Sequence, residues 1–373
     1  MTNSQSIPPA EDELEVSIFG PGYGESILLH VGAGNWIVVD SCLDPTSRHP
    51  AALQYLSGIN VDVAQAVKLV VATHWHDDHI RGLSTVFEAC VSADFVLSNA
   101  LRHEEFLTLI HLYQQPTVAQ SSGVDEFVRI LKPHLAYKSN NLKWAIADRL
   151  LFSNEGSINS ETTKIKVYSL SPSDTAILQA KLAFTELLTE QTQQRKRISS
   201  LQPNDTAVVL WIEAGEHRIL LGADLEDTPG PSTGWTAIIS DSLVTTTKAQ
   251  VFKIPHHGSV NAHNQDVWRG LLLDVPFALI TPFNRGRKTL PSVEDTKRIA
   301  HLTPNAYITS PTKQHNLKFR ERIVRESVDK VAKHIYKSIS GWGQVRLRRK
   351  IEDPNACWGV ELFGDACSLD SIS

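Results

Sequence analysis

The chain has 373 residues and a formal net charge of −5, with 42% apolar and 21% charged residues. This composition excludes a disordered, collagenous or coiled-coil chain and is typical of a globular protein. At this length about three-quarters of the unfolded surface can be buried, so a large core forms without disulfide bonds.

Hydrophobic patterning predicts the secondary structure in chain order. The predicted strands lie at 15–19, 27–31, 36–39, 69–73, 165–170, 207–212, 218–221, 251–255, 278–281 and 306–309, with a terminal hairpin at 344–348 and 359–363. Apolar runs such as 69–73 are typical of strands buried on both faces. Residues 100–147 look mainly helical, 176–197 predicts an amphipathic surface helix, and a further helix is expected near 291–301.

This order of elements suggests two sheets sandwiched between helices, an α/β (α+β) architecture. We expect a polar tail at 1–12 and a main domain at 13–311, with helical insertions near 100–147 and 175–200. The remaining residues, 312–373, are predicted to be a basic extension packed on the same domain.

The cellular setting is inferred from what the sequence does not contain. Residues 1–15 lack the basic start and apolar core of a signal peptide, and apolar runs are far shorter than the ~18 residues of a membrane span. The four cysteines (Cys42, Cys90, Cys357 and Cys367) form no CxxC pair. We therefore expect a cytoplasmic protein with no membrane insertion.

Charge is unevenly distributed along the chain. The segment 312–350 carries twelve Lys/Arg against three Asp/Glu, whereas the rest of the chain is acidic. A basic segment on an acidic body could bind a polyanion. A solvated helix face gives the same pattern, so both interpretations stay open.

The segment Thr73-His74-Trp75-His76-Asp77-Asp78-His79 follows a predicted buried strand. On an extended backbone, His74 and His76 project to one side and can share one metal ion. Asp78 and His79 lie where the strand becomes a loop, so they can turn toward a second ion. Imidazole and carboxylate are the ligands expected for zinc and similar divalent metals.

The pattern His74-x-His76-x-Asp78-His79 resembles the signature of the metallo-β-lactamase fold superfamily, and the order of elements agrees from about residue 13 to 310. The resemblance implies a four-layer αββα sandwich with a one- or two-metal site at one sheet edge. Zn²⁺, two ions per chain, is the expected cofactor, and Mn²⁺ is the alternative.

The resemblance also assigns roles to residues after later strands. It implies that Asp40 supports the metal ligands, that Asp224 bridges both ions through its two oxygens, and that His257 is the final ligand. His256 would then sit beside the substrate as a proton donor or oxyanion contact.

Three further motifs resemble the hydrolase domain of the ComEC competence protein family, and also phosphorylcholine esterase-like relatives. They are Gly20-x-Gly22-x-Gly24-Glu25-Ser26, Asn204-Asp205-Thr206 and His256-His257-Gly258-Ser259. Both groups cleave phosphate esters, and DNA is the substrate implied by the first. Tyr23 and Ser259 are expected to contact substrate.

One ligand expected from the superfamily is missing, because no His lies between Leu170 and Asn204. Asn204 is expected to line the site in its place. The alternatives are His103, His111 and His134.

The sequence therefore predicts a two-metal phosphodiesterase or nuclease acting through a metal-bound hydroxide, which Asp78 would orient. Its partner would be a phosphate-ester substrate, either nucleic acid or nucleotide, and Arg285 and Arg287 could bind the phosphate. Two alternatives remain. One is a small-molecule hydrolase acting on a lactone, thioester or β-lactam; the other is a metal-stabilised, non-catalytic module of a larger assembly.

Overall fold

The computed structural model describes residues 5–21, 24–102, 106, 126–127, 129–131, 141–158, 161–191, 202–228, 230–285, 289–312, 341–353 and 356–372. Within these residues the helices are α1 (Ala51–Gly58), α2 (Val63–Ala66), α3 (Asp77–Ile80), α4 (Leu83–Ala89), α5 (Asp174–Gln191), α6 (Gly234–Asp241) and α7 (Val293–Leu302). The strands are β1 (Glu13–Gly20), β2 (Ser26–Val31), β3 (Trp36–Val39), β4 (Val67–Ala72), β5 (Asp94–Ser98), β6 (Leu142–Ala145), β7 (Arg149–Ile158), β8 (Glu161–Ser169), β9 (Leu210–Ala214), β10 (His217–Leu221), β11 (Ala249–Lys253), β12 (Leu272–Ile280), β13 (Ala306–Ile308), β14 (Gly343–Lys350), β15 (Gly359–Gly364) and β16 (Cys367–Ser368).

The described strands form two mixed sheets of eight strands each. The first has the order β15-β14-β1-β2-β3-β4-β5-β6, and the second has the order β16-β13-β12-β11-β10-β9-β8-β7. The predicted hairpins β9–β10 and β14–β15 are both antiparallel pairs. In contrast, β3 to β6 run parallel, as do β10 to β13.

Side chains alternate between two core layers along each buried strand. Leu29 of β2 joins the core between the sheets, whereas Leu28 joins the core under α1 and α4. On the second sheet, Ile219 faces the inner core and Leu220 packs with Trp235 of α6. Because apolar cores lie on both faces of both sheets, the layer order is helix, sheet, sheet, helix. The predicted αββα sandwich is confirmed.

The prediction of helix through residues 100–147 is wrong at its end, where β6 is a strand. It pairs parallel with β5 at the edge of the first sheet. Lys143 of β6 also forms an ion pair with Asp94 of β5, at 2.8 Å between Nζ and Oδ2. Tertiary pairing with an existing sheet edge decides the conformation of a segment this short.

The C-terminal hairpin completes the first sheet, because β14 pairs antiparallel with β1 over its whole length. Part of the basic segment is thereby used internally: Arg346 is buried and ion-pairs with Glu361 at 2.7 Å. Residues 313–340, the greater part of that segment, lie outside the described residues. In the part of the chain that the structure describes, no helix is long and apolar enough to cross a membrane.

The sheet topology places the residues predicted for the site at one edge. Asp40 follows β3 and His74 follows β4, whereas Asp224 follows β10 and His257 follows β11. Each of these pairs of strands is parallel, so their carboxyl ends meet at the same edge. Ligand sites form where parallel strands end in this way.

Candidate metal centre

At this edge four residues other than glycine have a left-handed backbone conformation, which a Cβ atom disfavours. Asp40, Ala223, His256 and His257 all have left-handed φ values, at 57°, 45°, 45° and 53°. Such angles cost free energy and persist where the surrounding contacts enforce them, as they do at functional sites. Here the amide of His256 donates to the carbonyl of Ala223 at 3.1 Å, joining two of the strained positions.

A first group of ligand atoms consists of His74, His76 and Asp224. His74 Nε2 lies 3.1 Å from His76 Nδ1 and 3.9 Å from Asp224 Oδ2. Burial lowers the pKa of both histidines, that of His74 well below its ordinary value. Both rings are therefore neutral at pH 7, the form in which imidazole binds a metal.

A second group consists of Asp78, His79, Asp224 and His257. His257 Nε2 lies 3.1 Å from Asp78 Oδ2 and 3.5 Å from Asp224 Oδ2, and His79 Nε2 lies 3.3 Å from the same Asp224 oxygen. The structure thus places His257, not His256, among these atoms. Asp224 Oδ2 belongs to both groups, so one oxygen rather than two faces the histidines.

In the second group, the pKa of each side chain depends on the charges of its neighbours. Burial opposes ionisation, but the charges of His79 and His257 hold the pKa of Asp224 well below its ordinary value. Burial likewise opposes the charge on His79, yet the carboxylates of Asp224 and Asp40 raise its pKa well above the usual range. When no metal is bound, protons on His79 and His257 therefore balance these carboxylates, and a divalent cation would have to displace those protons.

Two buried atoms in this site make no hydrogen bond: Nε2 of His79 and Oδ1 of Asp224. Buried polar atoms are normally paired, so such exceptions need an explanation. All the ligand atoms in each group lie within 4.8 Å of one another. The residues therefore fit divalent cations, which would take the lone pairs that the protein leaves unused.

Asp40 supports this arrangement from beneath. It is fully buried, and its Oδ2 lies 2.7 Å from Nδ1 of His79. The backbone amide and hydroxyl of Thr73 donate to its two oxygens at 2.8 and 2.7 Å. Because Asp40 accepts the Nδ1 proton, Nε2 of His79 faces the ligand group. This is the position that the sequence predicts for Asp40.

A buried ion pair beneath Asp224 was not predicted. Lys253 and Glu25 are both fully buried, and Lys253 Nζ lies 2.8 Å from Glu25 Oε1 and 3.5 Å from Asp224 Oδ1. The hydroxyl of Thr281 donates to the other oxygen of Glu25. A charged residue within an apolar segment was the available signal, since Lys253 lies inside the run Val251-Phe252-Lys253-Ile254.

The turn that contains Gly24 and Glu25 contacts the histidine segment directly. The amide of Glu25 donates to the carbonyl of Asp78 at 2.8 Å. Gly24 has a φ of 95°, and a Cβ there would lie 3.0 Å from the same carbonyl oxygen. Glycine is required because a side chain would be strained and crowded at this position.

A cavity of 370 Å³ opens above the ligand atoms. It is lined by Trp75, His76, Asp77, Asp78, Asp224, His256, His257, Phe283, Arg285 and Leu290. His256 Nδ1 lies 3.1 Å from both Glu226 Oε1 and Asn261 Oδ1. These contacts hold the ring at the cavity wall. The role of Glu226 was not predicted from the sequence.

Asn204 and Ser259, which the sequence also predicts for the site, do not line the metal-centre cavity. Asn204 is buried and donates to Glu226 at 2.8 Å, so it reaches the site only through that carboxylate. Ser259 lines a separate small cavity with Trp268 and Arg298. Tyr23, His103, His111, His134 and Arg287 lie outside the described residues.

No protein-family model matches the sequence, and no curated protein matches it. Similar solved structures include the metallo-β-lactamase fold protein YhfI from Bacillus subtilis, with 14% identity and a TM-score of 0.32 over 65% of this chain and 70% of that one. MEM-A1, a subclass B3 metallo-β-lactamase from a soil metagenome library, has 13% identity and a TM-score of 0.32 over 71% and 84%. Rubredoxin oxygen:oxidoreductase from Desulfovibrio gigas has 12% identity and a TM-score of 0.28 over 58% and 40%. The activity of this chain must therefore be argued from its own residues.

Proposed function

We propose that the chain is a metal-dependent phosphodiesterase that binds two divalent cations, with zinc expected and manganese as the alternative. One observation carries the proposal: the two groups of ligand atoms share Asp224 Oδ2 at the floor of an open cavity. The resemblance of the flanking motifs to phosphate-ester hydrolases supports the choice of reaction.

When bound, the ions would lower the pKa of a coordinated water and neutralise charge on the scissile group. The chain's own residues contribute orientation and protons. His257 fixes Asp78 at the cavity edge through the 3.1 Å contact. Glu226 and Asn261 engage Nδ1 of His256, so Nε2 is the ring nitrogen left to contact the leaving group.

The walls of the cavity suit an organic phosphate ester. Arg285 lies at one side and can form paired hydrogen bonds with phosphate oxygens. Trp75 and Phe283 offer aromatic faces to an organic substituent. Trp75 is held by Phe106, with ring centroids 4.9 Å apart, so its orientation is fixed before substrate binds.

The test combines elemental analysis with turnover of bis-p-nitrophenyl phosphate after Zn²⁺ or Mn²⁺ is restored. We expect about two metals per chain and turnover that falls at least 100-fold in His76→Ala and Asp224→Ala. His301→Ala and Asp266→Ala are matched controls at exposed positions, and both should keep wild-type metal content and rate. Two metals per chain without turnover would refute the phosphodiesterase.

A small-molecule hydrolase is the second candidate, because the cavity walls include the apolar groups of Trp75, Phe283 and Leu290. A volume of 370 Å³ lies in the range of small-ligand pockets. Nitrocefin and an acyl-homoserine lactone, assayed at the same salt concentration, separate the two candidates. Faster turnover of either than of the phosphodiester would favour this function.

A further inference from the structure

Three fully buried side chains, Glu25, Lys253 and Thr281, lie beneath the two ligand groups of the metal centre, and we call them the Glu25 cluster. Lys253 Nζ lies 2.8 Å from Oε1 of Glu25, and the hydroxyl of Thr281 donates to Oε2. Both oxygens of Glu25 therefore face partners inside the protein. A buried ion pair is often no more stabilising than apolar side chains of similar size, so its presence here needs a reason other than stability.

Lys253 fixes the loop that carries Asp224. Its Nζ donates to the carbonyl of Ala223 at 2.7 Å, and its own carbonyl accepts from the amide of Gly222 at 3.1 Å. Because Ala223 is one of the left-handed residues, these bonds hold the backbone from which the Asp224 side chain projects. Nζ also lies 3.5 Å from Asp224 Oδ1, which keeps that oxygen beneath and turns Oδ2 toward the histidines.

Glu25 and Thr281 contact two further members of the second ligand group. The amide of Glu25 donates to the carbonyl of Asp78 at 2.8 Å. Nδ1 of His257 lies 3.1 Å from the carbonyl oxygen of Thr281, and its Nε2 faces Asp78 and Asp224. The Glu25 cluster thus contacts three of the four residues in the second group.

The first ligand group depends on other contacts. Nδ1 of His74 lies 3.0 Å from the hydroxyl of Thr73, and its Nε2 lies 3.1 Å from His76. No hydrogen bond or ion pair between described residues joins either histidine to the Glu25 cluster. Asp224 is the one member through which the cluster reaches this group.

We infer that the Glu25 cluster positions the ligands of the second group and so sets the affinity of one cation position far more than that of the other. Its members act through Asp78, Asp224 and His257, not on the ion or the substrate. The inference rests on the two-cation part of the proposed function. Its readout is metal binding, so a failure of the proposed reaction is seen separately, as absent turnover.

The test replaces the ion pair by apolar side chains of similar size in Glu25→Leu/Lys253→Met, a type of change that protein cores often tolerate. Competition with a chromophoric chelator gives the Zn²⁺ affinities, and elemental analysis gives the number of ions. One cation should bind about 10- to 100-fold more weakly, whereas the affinity of the other should change less than about threefold. In a His76→Ala background, which disrupts the first group, the cation that remains should be the one that weakens.

Arg346→Met/Glu361→Leu is the matched control, because it removes the ion pair of another buried cation on the hairpin β14–β15. This variant should keep both Zn²⁺ affinities. Urea denaturation of the metal-free proteins separates positioning from stability. A purely structural ion pair would shift the urea midpoint and leave the ratio of the two affinities unchanged, which would overturn the inference.

Thr281→Val serves if the double variant does not fold, because it removes the bond to Glu25 and keeps the carbonyl that His257 contacts. It should weaken the same cation about fivefold. Thr296→Val, at a buried threonine of α7, should leave both affinities unchanged.

Equal weakening of both cations, or wild-type affinity for both, overturns the inference. If the wild type binds a single ion, the two-cation proposal fails. Weaker binding of that ion in the Glu25-cluster variants then supports the positioning role, and unchanged affinity refutes it.

Discussion

Two of the regions in which the described residues bury charged side chains differ in one respect, because only one of the two is built like a binding site. The first is the metal centre at the carboxyl ends of the parallel strands. The second, which we call the Glu15 network, lies where β1, β14 and α1 meet. It consists of Glu15, Ser17, Tyr55, Gln344, Arg346 and Arg348.

The Glu15 network is satisfied internally. Glu15 is fully buried and accepts hydrogen bonds from Ser17, Tyr55 and Arg348 at 2.7 to 2.9 Å. None of its six members has a buried atom without a partner. In the metal centre, by contrast, His79 and Asp224 each have one buried atom without a hydrogen bond, and the backbone is left-handed at His257.

Buried charge alone therefore does not identify a functional site. A network in which every buried polar atom has a hydrogen-bond partner contributes to folding. Ligand atoms that lack a hydrogen bond and lie on a strained backbone are instead available to bind an ion. Four predictions test this difference, from the largest expected effect to the smallest.

Metal removal should destabilise the protein through the metal centre alone. A cation present at about 1,000 times its Kd contributes about 4 kcal/mol to the free energy of unfolding, and chelation should remove it. Urea denaturation with and without EDTA measures the change. His76→Ala should show a smaller loss on chelation, and an unchanged wild-type midpoint would contradict a bound metal.

Breaking the Glu15 network should lower stability without changing metal content. Glu15→Gln removes the charge that pairs with Arg348 and leaves buried donors without their acceptor, at a cost of about 3 kcal/mol. Urea denaturation of the metal-loaded protein gives the value. Glu11→Gln, at an exposed position nearby, should change it by less than about 0.5 kcal/mol. A loss of metal in Glu15→Gln would mean that the two regions are coupled.

Asp40→Asn, unlike Glu15→Gln, should lower metal affinity. The Thr73 amide donates to Oδ1 of Asp40, whereas the Thr73 hydroxyl and His79 Nδ1 both use Oδ2. The NH2 group of an asparagine must therefore oppose a donor at one of these two positions, which weakens the anchor of the His79 ring. Metal affinity should fall about 10- to 100-fold. Competition with a chromophoric chelator measures this affinity. Retention of wild-type affinity would show that Asp40 does not orient the ligand.

His30, which lies near the Glu15 network, should behave unlike His79 of the metal centre, whose pKa is raised by the neighbouring carboxylates. His30 is buried, its Nδ1 donates to the carbonyl of Glu13, and its Nε2 accepts from the amide of Gly34. Burial lowers the pKa of His30 from 6.5 to about 4. Between these values the unfolded chain binds the extra proton, so stability falls as the pH falls.

The loss attributable to His30 should be about 1 kcal/mol between pH 7 and pH 5.5. Thermal or urea denaturation at both pH values measures it in the wild type and in His30→Gln. The variant should show a flatter dependence on pH. An equal slope in both proteins would mean that other groups carry the effect.

Much of the fold could be predicted because its signals are local. The strand β3 and residues 69–72 of β4 are continuous apolar runs, and the histidine segment follows β4 directly. The edge strand β6 was missed because its four residues carry little pattern and depend on pairing with β5. Pairing of β14 with β1 joins residues over 300 positions apart, which periodicity cannot reveal.

The candidate site shows the same distinction between local sequence signals and long-range tertiary contacts. The sequence alone determined which candidate ligand residues follow which strands, since side-chain type and chain adjacency are local properties. Tertiary structure alone decided that Asp224 presents one oxygen to the histidines, that Lys253 lies beneath it, and that Thr281 joins Glu25 to His257. These contacts join separate loops at the carboxyl ends of the strands, where packing of the two sheets sets every distance.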